Sequence, residues 1–165
     1  MEMSELEKTY SAKDAESKWY KIWEEQGHFK PKKGKTSKAF TLIMPPPNVT
    51  GQLHMGHALD ILTQDALIRF KRMKGFEALW LPGMDHAGIS TQVVVEKKVW
   101  EEEKKTHHQF TRDEFIKKIW SWKEQYGGII LNQQKAMGAS ADWNYFLFTM
   151  DKSANEAVNR AFVSL

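Results

Sequence analysis

The chain alternates two short apolar runs with longer segments of helical periodicity. The runs at residues 39–44 and 76–81 have the length of β-strands, and the composition of the first is that of a buried strand. Each run stops at proline, which cannot donate to a strand ladder. Apolar residues at helical spacing predict helices over residues 14–26, 53–74, 89–104 and 111–137, and a last helix from about residue 151.

Three of the predicted helices carry residues that share one face. These are Leu59, Leu62, Ala66, Phe70 and Met73 on the second helix, Val93 or Val94 with Lys97 and Trp100 on the third, and Phe115, Ile119, Trp122 and Tyr126 on the fourth. We expect Gly127-Gly128 to interrupt or kink the fourth helix. Gly27 and Gly75 are the expected stops of the first two helices, and Ser153 and Asn155 the candidate caps of the last.

The order of elements is helix, strand, helix, strand, helices. Strands that alternate with helices indicate βαβ units and a parallel sheet, so the fold class is α/β. Two strands are too few for a complete doubly wound sheet, and the chain stops at Leu165 within a predicted helix. We therefore expect a fragment of a larger protein.

The composition excludes several classes of protein. The 165 residues carry a formal charge of +3, which does not by itself indicate nucleic-acid binding, and no Cys, which excludes disulfides and thiolate metal sites. Residues 1–18 are too polar for a signal peptide and too acidic for a mitochondrial transit peptide. No run approaches the roughly 18 apolar residues of a membrane span. We expect a cytoplasmic protein without membrane contact.

The first segment with chemical content is PPPNVTGQLHMGH at residues 45–57, named the histidine segment below. It runs from a strand end through a turn into a helix start, where unpaired amides and the helix dipole favour anions such as polyphosphate. His54 and His57 are three residues apart, so they share one face of the first turn and can both donate to phosphate oxygens. Gly56 has no side chain, so a flat group such as adenine can approach the backbone.

Two other interpretations of the histidine pair stay open. The pair could stand near a helix end by chance. It could also bind a metal, although no Cys or acidic third ligand is nearby.

The second such segment is WLPGMDHAGISTQ at residues 80–92, named the aspartate segment below. It lies at the end of the second strand and opens the third helix, which places it beside the histidine segment on one edge of the sheet. On spacing alone Asp85 is more readily a helix N-cap. The functional alternative is a carboxylate that binds an ammonium group.

Together the two segments closely resemble the valyl-tRNA synthetases, a subgroup of the class I aminoacyl-tRNA synthetases. Residues 54–57, HMGH, resemble the HIGH signature of that class. KWYKIWEEQGHF at 18–29 and WSWKEQYGGIILNQQKAMGASADW at 120–143 are also similar to the valyl enzymes. The resemblance implies the first half of a Rossmann-like (HUP-type) parallel-sheet nucleotide-binding domain at 39–165, truncated before its second half. A helical extension and loop at 1–38 would precede it.

The resemblance also implies a valine–tRNA ligase, which activates L-valine with ATP to valyl-adenylate and transfers it to tRNA(Val). His54 and His57 would be catalytic, contacting the ATP phosphates as the carboxylate attacks the α-phosphorus. Gly56 and Thr50 would complete the ATP-binding set, with Gly56 leaving room for adenine. Mg²⁺ would arrive with the ATP, without a metal site or a tightly bound cofactor in this chain.

For the amino acid, the resemblance assigns Asn48 and Asp85 to the α-ammonium of valine. Pro45 and Pro46 would form one wall of a small apolar side-chain pocket. The expected partners are L-valine, ATP and tRNA(Val), and we expect a monomer.

The family's second signature, KMSKS, is absent after His57. Lys35-Thr36-Ser37-Lys38 imitates it and Gly34-Lys35-Thr36 imitates the end of a P-loop, but both precede the first strand and are rejected. The lysines of residues 28–38 are read as a solvated loop, with RNA contact as the alternative. His107-His108 is likewise read as a solvated connection. Two other functions stay open: an ATP-binding module without ligase activity, and a small H-x-G-H adenylyltransferase.

Overall fold

The structure, a computed structural model, describes residues 9–31 and 38–165. In chain order these residues form α1 (Ala12–Glu25), β1 (Ala39–Ile43), α2 (Met55–Met73), β2 (Glu77–Leu81), β3 (Gly83–Met84), α3 (Ile89–Glu103), α4 (Arg112–Ala136), β4 (Leu147–Phe148) and α5 (Lys152–Ser164). Every predicted helix and strand is present, with ends within two residues of those expected. The predicted loop at 28–38 lies partly outside the described residues, which omit 32–37.

β1 and β2 pair in parallel, in register from Ala39 opposite Glu77 to Ile43 opposite Leu81. Because α2 connects them, the expected βαβ unit and the α/β class are confirmed. The prediction that the first run is a buried strand was wrong. Alternate residues of β1 are partly buried, and Ile43 is 70% exposed, because among the described residues only one face of β1 packs on the core.

The sequence missed β3 and β4, which pair in parallel with Gly83 opposite Leu147 and Met84 opposite Phe148. Strands of two residues are too short to show any periodicity. This pair lies directly before Asp85, and it joins the aspartate segment to a part of the chain more than 60 residues later.

The apolar face predicted on α2 lies on the exposed side of that helix. Leu59 is 71% exposed and Met73 is 88% exposed, whereas the buried residues of α2 are Ile61, Asp65 and Ile68. On α3, Val93 and Trp100 are exposed, and the buried residues are Thr91, Val95 and Val99. Val94, the alternative to Val93, is partly buried and packs against the core. A buried acid on the inner side of α2 lowers the apolar contrast between its faces, so periodicity selected the wrong one.

The predicted face of α4 is confirmed, since Phe115, Ile119, Trp122 and Tyr126 belong to or pack on one core cluster with Val95 and Val99. The predicted interruption at Gly127-Gly128 was wrong, because α4 is continuous over 25 residues. A Cβ at Gly127 would lie 3.3 Å from the sulfur of buried Met84, tighter than ordinary van der Waals contact. Gly127 therefore allows a close approach of α4 to β3.

The expected stops at Gly27 and Gly75 are confirmed by their positive φ angles of 69° and 78°. The predicted caps Ser153 and Asn155 were wrong, because the N-cap of α5 is Asp151. The carboxylate of Asp151 accepts a hydrogen bond from the Phe148 backbone N–H over 2.9 Å, so it fixes the turn between β4 and α5. Within the two described ranges no helix is long and apolar enough to cross a membrane.

α1 packs on α4 and on the segment that follows it. The Tyr20 hydroxyl donates to the Ala139 carbonyl over 2.8 Å, and the Trp143 indole N–H donates to the Tyr20 oxygen over 2.7 Å. Burial raises the pKa of Tyr20 well above its ordinary value. Buried Asp65 of α2 accepts hydrogen bonds from the backbone N–H and the hydroxyl of Ser140. The segment after α4 is therefore hydrogen bonded to both α1 and α2.

Candidate functional site

The histidine segment and the aspartate segment lie side by side at the ends of β1 and β2. Asn48 and Asp85 pair as a parallel β-bridge. The Asp85 N–H donates to the Pro47 carbonyl, and the Val49 N–H donates to the Asp85 carbonyl, each over 2.9 Å. Because β1 and β2 are parallel and in register, their carboxyl ends reach the same edge of the sheet. The predicted juxtaposition of the two segments is confirmed.

Two side chains of α4 form hydrogen bonds with the backbone of the histidine segment. The indole N–H of Trp122 donates to the Val49 carbonyl over 2.8 Å, and the Leu53 N–H donates to the Gln133 side-chain oxygen over 2.9 Å. Both contacts join residues more than 70 positions apart, so no local pattern could indicate them. They satisfy backbone groups of a turn that has no strand partner at these atoms.

The two histidines cap α2 with their rings. The Nδ1 atom of His54 accepts from the Gly56 N–H over 3.1 Å, and the Nδ1 atom of His57 accepts from the His54 N–H over 3.2 Å. The ring centroids are 4.0 Å apart. A neutral imidazole that accepts at Nδ1 carries its proton on Nε2. Each ring is therefore set in the tautomer that keeps an Nε2–H donor for an anion.

Gly56 makes this arrangement possible. A Cβ at position 56 would lie 2.9 Å from His54 Cε1 and 3.1 Å from His54 Nδ1, so the His54 ring would have to move away from it. The absence of a side chain at Gly56 thus has an intramolecular reason, which is the His54 ring folded against it. The role of Gly56 in leaving room for adenine stays a prediction.

The electrostatics of the site favour a neutral His57 ring. Burial lowers the pKa of His57 below its ordinary value of 6.5, and the neighbouring His54 lowers it further, against the opposing effect of Asp60. A neutral His57 keeps its Nδ1 lone pair for the His54 N–H, since the imidazolium form has no acceptor. The lowered pKa and this hydrogen bond therefore both favour the neutral form of His57.

Asp85 is not a helix cap, so the interpretation that spacing alone favoured was wrong. The N-cap of α3 is Gly88, and no side chain caps that helix. The Asp85 Oδ1 atom instead accepts from the Thr149 hydroxyl over 3.0 Å and lies 3.5 Å from His86 Nδ1. The sequence missed Thr149, which stands 64 residues further on and carries no motif signal.

The remaining predicted residues line the same edge. Pro45, Pro46 and Asn48 are exposed, and Thr50 is half-buried. A Cβ at Gly83 would lie 3.5 Å from Pro46 Cβ, so the proline stands against the start of β3. Within the described ranges no three His, Asp or Glu side chains converge as metal ligands.

A large concave surface lies elsewhere. It has a volume of about 910 Å³ and is lined by residues of α1, of α2 and of the end of α4, including Trp19, Trp23, Arg69 and Lys135. It contains none of the residues of the two segments. The two segments are therefore candidate site residues because of their backbone pairing and their chemistry. The volume of this concave surface gives no support to either segment.

Comparison with known proteins gives a consistent result. Residues 18–165 match the family model of the tRNA synthetases class I (I, L, M and V). The chain is 50% identical over 162 residues to the mitochondrial valine–tRNA ligase 1 of Arabidopsis thaliana and 55% identical over 159 residues to the valine–tRNA ligase of Thermus thermophilus. These alignments cover 98% and 96% of this chain but only 15% and 18% of the relatives.

Among solved structures, the fold matches the LeuRS encoded by agnB2 of Agrobacterium radiobacter, crystallised as a ternary complex with tRNA and LeuAMS. The TM-score is 0.78 over 95% of this chain and 18% of the other, at 20% sequence identity. At that identity the likeness shows the fold alone. It supports the predicted Rossmann-like half-domain.

Proposed function

This chain belongs to the class I tRNA synthetases (I, L, M and V), and we propose that it is the ATP- and amino-acid-binding part of a valine–tRNA ligase. The observation that carries the proposal is the Asn48 to Asp85 bridge, which brings two imidazole donors and a carboxylate to one edge of a parallel sheet. The relatives of about half identity support valine as the amino acid, since both are named valine–tRNA ligases.

In the proposed reaction the valine carboxylate attacks the α-phosphorus of ATP. A P–O bond to the α-phosphorus forms, the P–O bond to the β-phosphate breaks, and pyrophosphate leaves. The nucleophile is already ionised, so no general base is needed, and catalysis consists of positioning and charge stabilisation. The Nε2–H groups of His54 and His57 supply donors for the developing negative charge, while Gly56 and Thr50 complete the nucleotide contacts.

Asp85 is the proposed ligand of the valine ammonium group, together with Asn48. The bridge fixes the Asp85 backbone through both its N–H and its carbonyl, which leaves the carboxylate as the group that meets the ligand. Pro45 and Pro46 stand at the same edge and form one wall of the proposed apolar pocket.

Several parts of the proposal concern the longer protein. The chain spans less than a fifth of the length of the relatives described above, so transfer to tRNA(Val) is proposed for the complete enzyme. Mg²⁺ is proposed to enter with the ATP phosphates, without a tightly bound cofactor in this chain. The cytoplasmic location and the monomeric state stay predictions of the sequence.

The alternatives are less well supported. A small H-x-G-H adenylyltransferase would not explain the similarity to valine ligases across 98% of the chain. An ATP-binding module without ligase activity differs in one measurable property, which is valine-dependent exchange of pyrophosphate into ATP. We expect little or no exchange by the chain alone and restored exchange when the rest of the enzyme is added.

The direct test is Asp85→Asn in the full-length ligase. Loss of a charged hydrogen bond to ammonium costs about 1.5–3 kcal/mol, so the KM for valine should rise roughly ten- to hundredfold while the KM for ATP changes little. Asp113→Asn, at an exposed acid in the first turn of α4, is the matched control and should leave both values unchanged. An equal rise of the two KM values in the Asp85 variant would contradict the assignment.

A further inference from the structure

Thr149 contacts both polar residues at the end of β3. Its hydroxyl oxygen lies 3.0 Å from Asp85 Oδ1, 2.9 Å from the His86 backbone nitrogen and 2.6 Å from His86 Nδ1. One threonine hydroxyl thus connects the proposed ammonium ligand with the residue that follows it. No motif of the histidine segment or the aspartate segment includes this residue.

The backbone of Thr149 is held in place on both sides. Its N–H donates to the Met84 carbonyl over 3.1 Å, and the preceding Phe148 N–H donates to the Asp151 carboxylate over 2.9 Å. β4 therefore fixes Thr149 relative to β3, the strand that leads into Asp85. This is the placement expected of a residue that orients a neighbour, because the Thr149 backbone cannot move away from β3 without breaking the strand pairing.

The hydrogens of this contact can be assigned. A threonine hydroxyl has one proton to donate and two lone pairs that accept. The proton goes to the Asp85 carboxylate, since a charged acceptor gives the stronger hydrogen bond. The two lone pairs then accept from the His86 backbone N–H and from His86 Nδ1–H. His86 is therefore set in the Nδ1–H tautomer, opposite to that of His54 and His57.

We propose that Thr149 is a positioning residue of the amino-acid site, which holds Oδ1 of Asp85 so that Oδ2 remains available for the ammonium group of the substrate. The inference rests on the proposed function of Asp85. Among the described residues, the hydrogen bond and the close histidine contact of this carboxylate both involve Oδ1. Without the Thr149 hydroxyl, the Asp85 carboxylate can rotate about χ2. Binding of valine then has to order the carboxylate, and this entropy cost weakens the binding.

The test compares Thr149→Val with Thr149→Ser in the full-length ligase. Valine preserves the branched shape without the hydroxyl, and serine preserves the hydroxyl. We expect Thr149→Val to raise the KM for valine roughly ten- to thirtyfold with little change in the KM for ATP, and Thr149→Ser to restore most of the loss. Thr63→Val is the control. The Thr63 hydroxyl lies on the exposed side of α2, where it donates a hydrogen bond to the Leu59 carbonyl of the same helix.

A double-mutant cycle separates this inference from the proposed function. If Thr149 acts through Asp85, Thr149→Val should have no further effect on the valine KM in the Asp85→Asn background. A raised valine KM in Asp85→Asn with an unchanged one in Thr149→Val would overturn the positioning role and leave the proposed function intact. An unchanged valine KM in Asp85→Asn would overturn the proposed function itself, and additive effects of the two substitutions would overturn only the positioning role.

A spectroscopic measurement gives a second readout that does not depend on activity. In the ¹⁵N-labelled chain, long-range ¹H–¹⁵N correlations of neutral His86 should show the proton on Nδ1. Thr149→Val should move this proton towards Nε2, because Nδ1–H loses its acceptor at 2.6 Å and retains only Asp85 Oδ1 at 3.5 Å, and Thr149→Ser should not. A wild-type His86 with its proton on Nε2 would contradict the hydrogen-bond assignment on which the inference stands.

Discussion

Asn48 and Asp85 face each other as a parallel β-bridge, and the backbone of Asp85 is hydrogen bonded to the residue on either side of Asn48. The bridge lies beyond the ends of both β1 and β2 and is shifted by one residue from their register. Its consequence is that the backbones of the histidine segment and the aspartate segment cannot separate at this point without the loss of these hydrogen bonds.

The first prediction concerns pH. Because the pKa of His57 is lowered in the folded chain, the unfolded chain binds the proton more readily. The contribution of His57 to stability is therefore present above pH 6.5 and is lost as pH falls below 6.5 towards the lower folded pKa. An NMR titration should place the midpoint of His57 below 6.5, and urea unfolding should show the stability loss.

His57→Asn is the control for the pH prediction, because it removes the titrating ring and keeps a side-chain acceptor for the His54 N–H. We expect its unfolding free energy to depend less on pH between 5 and 6.5 than that of the parent chain. A His57 midpoint at or above 6.5 would show that neither burial nor the neighbouring ring controls this group.

The second prediction concerns Gly56→Ala. Alanine is a better helix residue by roughly 0.5–1 kcal/mol, but the displaced cap hydrogen bond is worth about as much, so stability should change little. The new Cβ would lie 2.9 Å from the His54 ring, which must swing away and lose the Gly56 N–H. We expect the KM for ATP in pyrophosphate exchange to rise, by up to tenfold for one hydrogen bond.

Gly51→Ala is the matched control, since a Cβ there meets nothing within 4 Å. It should leave the KM for ATP unchanged. An unchanged ATP KM in Gly56→Ala as well would mean that the orientation of the His54 ring does not matter for the nucleotide.

The third prediction uses the adjacent glycines of α4. Gly128→Ala should raise the free energy of unfolding by roughly 0.5–1 kcal/mol, because the site is open and helical and the unfolded chain loses freedom. Gly127→Ala should gain less or destabilise, because its Cβ meets the Met84 sulfur at 3.3 Å. Chemical denaturation of both variants measures the difference. Equal gains would show that Met84 moves aside without cost.

The fourth prediction concerns Asp65, which is 7% exposed and accepts from the N–H and hydroxyl of Ser140 and from Arg69. Asp65→Ala leaves these donors without their acceptor and should lower the free energy of unfolding by about 2–4 kcal/mol. Asp60→Ala, on the exposed side of α2, should change it by less than about 0.5 kcal/mol. Similar small losses in both would show that Asp65 does not fasten the segment after α4.

The sequence by itself determined the order of the helices and of β1 and β2, the glycine stops at Gly27 and Gly75, and the placement of the histidine segment and the aspartate segment at strand ends. These features depend on local chemistry: the spacing of apolar residues, the missing N–H of proline and the positive φ that glycine tolerates. Because parallel strands end at one edge, the meeting of Asn48 with Asp85 also followed from the order of the elements.

Tertiary structure alone decided which face of α2 and α3 is buried, why α4 passes unbroken through Gly127, and which side chain orients Asp85. Each of these is settled by a contact between residues far apart in the chain, such as Thr149 with Asp85 across 64 positions. Local periodicity carries no information about such partners, because their proximity is created only when the strands pair and the helices pack.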